Sequence, residues 1–420
     1  MLFNSSNDKK SLIENFLSLS LLQGINMILP LITFPYLVRV LGIDNFGLVN
    51  FSLSIIGYFN ILVSFGFELS ATKDISLNRE NKQKLSEIFS SVTIIKIGMF
   101  IFSIAILSIL ILFIDSMNEN SMLYYATFGI VLGNVLFPSW FFQGVEKMKY
   151  ITIITAITRS LFAIFIFILV QSEDDFIFVP LLNSIGAIIG GIIAIYIIFK
   201  TYKIRFYIPK KNIILKQLKD SFYYFISRIA NNGSRYFATT IIGAYFGNTI
   251  VGYYALVEKL FYAFTSIGGL VSQTIYPYMS RTKDLKFFKK ILLLSVIITV
   301  PMLLILIYFN EPFLMMVFAV KNEMASNIFS IVFSGALFSI VSSIIGYPFL
   351  AAFGYPKYAN NSLIYASLLY VVYILIAVTV SKNIYYVSFS IVVYMITALL
   401  IRLYYIKKTS LLKGISINNE

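Results

Sequence analysis

Apolar residues along the chain fall into runs of about twenty, divided by short polar segments, with no sustained two-residue alternation. Runs of that length suit α-helices crossing a hydrocarbon layer roughly 30 Å thick; barrel strands would be about ten residues long and would alternate. The pattern predicts helices at roughly 12–38, 46–68, 88–114, 121–142, 150–170, 176–199, 218–243, 250–276, 288–309, 326–352, 358–380 and 384–406. The polar segments are of two kinds. Some are tight and Gly-bounded, such as "LGIDNFG" at Leu41–Gly47; others are basic, and the longest of these runs from Lys200 to Lys219 and contains Pro209. That connector predicts two six-helix halves, 1–205 and 218–420, joined by a linker at 206–217.

The halves echo each other. "FGNTIVG" at Phe246–Gly252 repeats the spacing of the first hairpin, pairing Gly42 with Gly247 and Gly47 with Gly252. "PSWFFQGVEK" at Pro138–Lys147 pairs with "PFLAAFGYPK" at Pro348–Lys357, matching Pro138, Gly144 and Lys147 to Pro348, Gly354 and Lys357. The first match joins spans one and two of each half, and the second closes span four. Six spans is an even number, so the halves share one orientation and are related by an axis along the membrane normal. The hairpin glycines are expected to supply a positive φ and close packing. Gly129/Gly133 and Gly186/Gly190 have the small-residue spacing of packed membrane helices.

Composition sharpens this picture. Hydrophobic residues make up 59% of the 420 and charged residues only 12%, against about 25% charged in soluble domains. Such a chain cannot cover itself with polar surface, which leaves a helical membrane protein. It has no cysteine and no histidine. Disulfides, thiolate or imidazole metal sites, a cysteine nucleophile and a Ser-His-Asp triad are thereby excluded, and neither a metal, a cofactor nor an enzymatic activity is expected. "MLFNSSNDKK" is polar and leads into a long span without a small-residue cleavage site, so it reads as an uncleaved tail. Net charge is +14, which in a soluble protein would suggest nucleic acid. Here the charge follows topology. With the N-terminus inside, 25 of the 33 Lys and Arg lie in inside segments and 3 outside (Arg39, Lys321 and Lys382), an asymmetry that predicts both termini in the cytoplasm.

The remaining five cations, Lys96, Arg159, Arg228, Arg235 and Lys259, lie within predicted spans. Each costs at least about 2.5–3.5 kcal/mol at a helix centre, so each needs a reason. Lys96 and Lys259 are close enough to an interface to snorkel, or else face a cavity. Arg159 is near mid-span and either pairs with a neighbouring helix or meets a ligand. "SRIANNGSRY" places Arg228, Asn231, Asn232 and Arg235 at i, i+3, i+4 and i+7, one face of a helix, which suits either helix contact or a water-filled cavity. Acids are scarce: Glu258 lies within a span and Glu68 ends one. A surplus of buried cation predicts an anionic ligand, and guanidinium fits phosphate oxygens in a fork. Gln23 and Asn26 are either hydrogen-bonded packing or sugar contacts. Glu258 and Glu68 are candidates for a coupling proton or sodium ion.

"PYLVRVLGIDNFGLVNFSLSIIGYF", then "SFGFELSATKDIS" with its basic inside loop, resembles the polysaccharide-transport, O-antigen flippase (Wzx-type) family of the multidrug/oligosaccharidyl-lipid/polysaccharide exporter superfamily. The motif residues are Arg39, Leu41, Gly42, Phe46 and Gly47, and the likeness extends over nearly the whole chain. It implies an all-α polytopic membrane protein, with about twelve transmembrane helices in two six-helix parallel-repeat lobes around a central cavity. It also implies alternating access and an undecaprenyl-diphosphate-linked oligosaccharide carried from the cytoplasmic to the periplasmic leaflet of a bacterial inner membrane. Implied partners are that substrate, membrane lipids, and a polysaccharide polymerase and chain-length regulator. Two alternatives stay open. A drug or cation exporter would share the fold but call for cavity carboxylates; a membrane polymerase or ligase would need a sizeable outside loop or a catalytic cluster.

Overall fold

A computed structural model of the chain describes residues 6–229 and 233–409, and among these every regular element is a helix. The helices are α1 (Ser6–Ser64), α2 (Phe67–Leu77), α3 (Lys82–Phe113), α4 (Asp115–Glu119), α5 (Ser121–Leu136), α6 (Ser139–Gly144), α7 (Met148–Leu169), α8 (Phe178–Ile197), α9 (Lys211–Arg228), α10 (Ser234–Phe246), α11 (Asn248–Thr282), α12 (Leu285–Tyr308), α13 (Asn310–Phe318), α14 (Glu323–Phe333), α15 (Ala336–Ile345), α16 (Pro356–Ile376) and α17 (Ile384–Lys408). Ten stretches of the described residues are long and apolar enough to cross a membrane. One of them, Ser20–Leu77, has 58 residues, about 87 Å of helix against a ~30 Å core. It breaks at Gly42 (φ 70°, ψ 168°), so it holds two spans. Ten stretches, one of them double, make eleven of the twelve expected spans among the described residues; the expected seventh, 218–243, includes residues 230–232, which lie outside them, with α9 before and α10 after.

The chain divides into two compact units, residues 1–236 and 237–420. In the first unit the segments assigned to one side of the membrane meet one another. Asn45 donates to the Glu173 carbonyl (2.9 Å) and the Tyr36 hydroxyl to that of Val170 (2.7 Å), joining the first hairpin to the "SEDD" loop. On the other side Arg79 pairs with Glu146 (2.6 Å) and Lys149 with Glu14 (3.3 Å). There the amides of Arg205 and Tyr207 donate to Ser86 and Ser90. In lipid, helices associate through close packing, which small residues allow. A Cβ on Gly133 would lie 2.4 Å from the Ala187 Cβ, and one on Gly129 2.7 Å from the Ser184 Cβ, so α5 and α8 touch backbone to backbone. Away from these contacts α7 turns Ile153, Ile157, Leu161, Ile164 and Ile168 outward, an apolar stripe for acyl chains.

In the second unit α11, α15, α16 and α17 enclose a core around Ile340, Ile344, Phe349 and Ile406. Arg402, which sequence position groups with the inside charges, is buried at 4% exposure. Its guanidinium donates to the hydroxyls of Ser362 and Ser342 (2.9 Å each), to the Ser342 carbonyl and to the Ala359 carbonyl (3.3 Å).

The two halves repeat in backbone geometry. Gly42 and Gly247 (φ 86°, ψ 173°) occupy the same rare region at the first hairpin of each half. Gly47 and Gly252, expected to share that role, sit in regular helix and are buried. The second match holds with a shifted register. Glu146 (φ 56°) and Gly354 (φ 94°) are the left-handed residues, and each is followed by an amide bonded five residues back, Lys147 to Phe142 and Tyr355 to Leu350. The structural equivalents are therefore 208 residues apart, and the Gly144/Gly354 pairing is two residues out of register.

Candidate functional site

A polar cavity of about 200 Å³ lies inside the first unit, lined by Ser64, Phe67, Glu68, Lys96, Asn134, Phe137, Ser139 and Trp140. Local sequence builds it. α1 ends at Ser64, and the left-handed pair Phe65–Gly66 turns the chain into α2. Glu68 thus falls in the first turn of α2, where the helix dipole favours a carboxylate. On α5 the Phe137 amide closes the last helical bond, to Gly133, and the next amide should reach the Asn134 carbonyl. Residue 138 is proline and has no N–H. The Lys96 ammonium fills the place, 2.6 Å from the Asn134 carbonyl and 3.0 Å from its Oδ1. The Asn134 amide group in turn reaches the Ser64 hydroxyl at 3.3 Å. Lys96 is 4% exposed, which sets aside snorkelling.

Those two bonds use two of the three ammonium donors. Trp140 adds an indole N–H that is buried without a hydrogen-bond acceptor among the described residues. Arg228, at the end of α9, forms an ion pair with Glu68; the two side chains are 28% and 32% exposed. Three of the sequence candidates, Glu68, Lys96 and Arg228, thus converge from α2, α3 and α9. One carboxylate, paired with Arg228, stands against two cations, so the balance among the three is net positive. Acids were expected to be too few to neutralise both Arg228 and Arg235; Glu68, 160 residues away in sequence, pairs with Arg228.

The other candidates lie elsewhere. Arg159 donates to Asn26 Oδ1 at 2.5 Å, joining α7 to α1, with half-buried Gln23 one turn earlier on α1. Arg235 is exposed in the first turn of α10, and Asn231 and Asn232 lie outside the described residues. Of the single helical face expected from Arg228 to Arg235, the middle, residues 230–232, lies outside the described residues, and what is described of it is Arg228 at the end of α9 and Arg235 near the start of α10. In the second unit Thr239 donates to Glu258 at 3.5 Å, and Lys259 follows Glu258 on α11, half-buried. Arg39 and Gly42 stand at the first hairpin of the first unit and Gly247 at the first hairpin of the second. Sequence reasoning missed Asn134, Ser64 and Trp140. The signal for Asn134 was present: a proline four residues later leaves its carbonyl in need of a donor.

Among solved structures the chain is similar to the lipid II flippase MurJ in an inward closed conformation, with a TM-score of 0.75 and 15% identity over 92% of this chain and 87% of that one. It is also similar to an inward-facing multidrug resistance MATE family transporter of the MOP superfamily, with a TM-score of 0.64 and 15% identity over 95% and 99% of the two chains. The class is therefore a polytopic, all-helical membrane transporter fold of two lobes. In sequence the chain is similar to two proteins named "Putative O-antigen transporter". The one from Escherichia coli (strain K12) is 31% identical over 288 residues, 69% of each chain. The one from Shigella dysenteriae is 30% identical over 281 residues, 66% of this chain and 70% of that one. The family model described as "Polysaccharide biosynthesis protein" matches residues 12–283, and the chain belongs to that family.

Proposed function

We propose that this protein is a flippase for an undecaprenyl-diphosphate-linked oligosaccharide, an O-antigen or related surface-polysaccharide repeat unit. It moves the substrate from the cytoplasmic to the periplasmic leaflet of the bacterial inner membrane by alternating access between two six-helix lobes. Both termini and the basic linker 206–217 face the cytoplasm in this reading. The observation that carries it is the excess of cation around one carboxylate, Lys96 and Arg228 against Glu68, in a family whose business is polysaccharide. A diphosphate supplies the missing negative charge, and a guanidinium binds it in a planar fork. Arg235, Asn231 and Asn232 follow Arg228 in sequence and are assigned to the diphosphate and proximal sugar. Arg159 with Asn26, Gln23 and Lys259 complete the candidate set, and Glu258 and Glu68 are the candidates for ion coupling. A polymerase and a chain-length regulator take the product onward.

Likeness to a multidrug transporter makes export of drugs the second reading, but a cationic drug would meet the same cation excess and be repelled. Surface glycan in a strain that depends on this gene separates the two. Arg228→Ala and Arg235→Ala, expressed at wild-type level, abolish surface glycan, while Arg228→Lys and Arg235→Lys keep part of it. Normal glycan in both well-expressed alanine variants would remove Arg228 and Arg235 from the substrate site.

A further inference from the structure

Glu68 stands between two cations and satisfies one of them. Its carboxylate is engaged by Arg228, which is partly exposed at 28%. Lys96, 4% exposed, lines the same cavity as Glu68 and feels its charge. The ammonium has spent two donors on Asn134, leaving a third N–H for the cavity. The cavity that Glu68 and Lys96 both line, with Ser64, Ser139 and Trp140, has a volume of about 200 Å³, larger than a carboxylate group. A buried ammonium beside a carboxylate that is bonded elsewhere is an unfinished ion pair, and it is completed when something else takes Arg228.

We propose that substrate binding hands Glu68 from Arg228 to Lys96. This rests on the reading that a lipid diphosphate binds Arg228. The diphosphate displaces the carboxylate from the guanidinium; Glu68 then turns into the cavity and pairs with the Lys96 ammonium. Neither Arg228 nor Glu68 is left without a counter-ion by the exchange, because one anion replaces another on Arg228 and the freed carboxylate finds a cation already in place. Lys96 acts here as a positioning residue: it sets the affinity at Arg228 without touching the ligand. The exchange also replaces a charged tie between α2 and α9 with one between α2 and α3. The neutral ties of α9, the hydrogen bond of Ser221 to Ser70 on α2 at 2.7 Å and the stack of Phe225 on Phe65 in the turn before α2, are left in place. Ligand arrival thus removes the ion pair between α9 and α2 and leaves α9 held by neutral contacts.

The test is a double-mutant cycle on binding of undecaprenyl diphosphate to the full-length protein in lipid nanodiscs. Glu68→Gln removes the competitor and tightens binding, about tenfold if the coupling is typical of a half-exposed charge pair. Lys96→Gln keeps a hydrogen-bond donor for the Asn134 carbonyl, so the fold is retained, but offers Glu68 no charge. It weakens binding at least about threefold alone and changes it less than about 1.5-fold in the Glu68→Gln background. If Lys96 held the diphosphate directly, its loss would be equal in both backgrounds, and that result would overturn the handover. The chain has one tryptophan, and Trp140 lines the cavity, so its emission reports on Glu68. Ligand shifts the emission of the wild type and not of Glu68→Gln; an identical shift in both again overturns the proposal. Arg228→Ala keeps the two claims apart. Undiminished binding in Arg228→Ala contradicts the diphosphate reading itself, whereas lost binding with an additive cycle contradicts the handover alone.

Discussion

Replacing Lys96 by methionine keeps the length and apolar stem of the side chain and deletes the ammonium. The Asn134 carbonyl, denied an amide partner by Pro138, then loses its 2.6 Å donor inside the first unit. A buried acceptor left without a partner costs about 1–3 kcal/mol. For a unit of this size each kcal/mol moves the melting temperature by roughly 2–4 °C, so Lys96→Met melts roughly 2–12 °C lower than wild type. Lys96→Gln, which can still donate, loses clearly less. The cause can be checked by restoring the missing donor from the other side. Pro138→Ala supplies the absent N–H and lets α5 extend by one residue, so Lys96→Met costs about 1 kcal/mol less in that background. With no cysteine to label, unfolding is followed through Trp140 emission in detergent, with gel filtration of heated samples as a second probe. Equal melting of Lys96→Met and Lys96→Gln, or no relief from Pro138→Ala, would refute the account of why a lysine is buried there.

Three further outcomes are expected. Reporter fusions after Lys84, Lys149, Lys211 and Lys290 read cytoplasm, and fusions at Asn118, Ser172, Asn248 and Asn322 read periplasm; an inversion at any one breaks the twelve-span count. Gly42→Ala and Gly247→Ala each force a side chain into a region reserved for glycine, at about 1–3 kcal/mol, with nothing closer to the added Cβ than 3.5 Å at Gly42 and nothing within 4 Å at Gly247. Matched losses of folded yield support the repeat, and a loss at one site only argues against it. Asp175 accepts from the Gln171 and Ser172 amides and the Ser172 hydroxyl, which hold its carboxyl below the usual range. That stabilisation is present at neutral pH and fades as pH falls through the depressed pKa. The protection of residues 171–177, measured as hydrogen exchange relative to the intrinsic rate at each pH, therefore falls on acidification, and Asp175→Asn abolishes that fall; protection that stays constant in the wild type would contradict it.

Much of the fold was legible because bilayer thickness writes itself into the chain as runs of apolar residues. The two hairpin glycines were legible because only one residue type tolerates their backbone. The breaks within spans were not: the expected helix 46–68 runs across the turn at Phe65–Gly66, and helix 121–142 across Pro138. Interior turns like these are set by what packs against them. A Cβ on Gly66 would meet the Phe225 amide at 2.7 Å, a contact with a helix far along the chain. The site was half legible. Charge inside a span flagged Lys96, Arg159 and Arg228, since each costs too much to be idle. Their partners, Asn134, Asn26 and Glu68, are placed by tertiary packing and carry no periodic signal. The offset of 205 between the hairpins and 208 at span four shows why a repeat read at a fixed spacing slips: each half has gained or lost residues at its own turns.

The most direct test of the central claim is leaflet exchange by the purified protein. Proteoliposomes carrying undecaprenyl-diphosphate-linked oligosaccharide on both leaflets are treated with an impermeant glycosidase. The account predicts that wild-type protein exposes nearly all of the saccharide to the enzyme, while Arg228→Ala leaves the inner half protected, as in protein-free vesicles. Protection of the inner half with wild-type protein, or full exposure with Arg228→Ala at equal reconstitution, would contradict it.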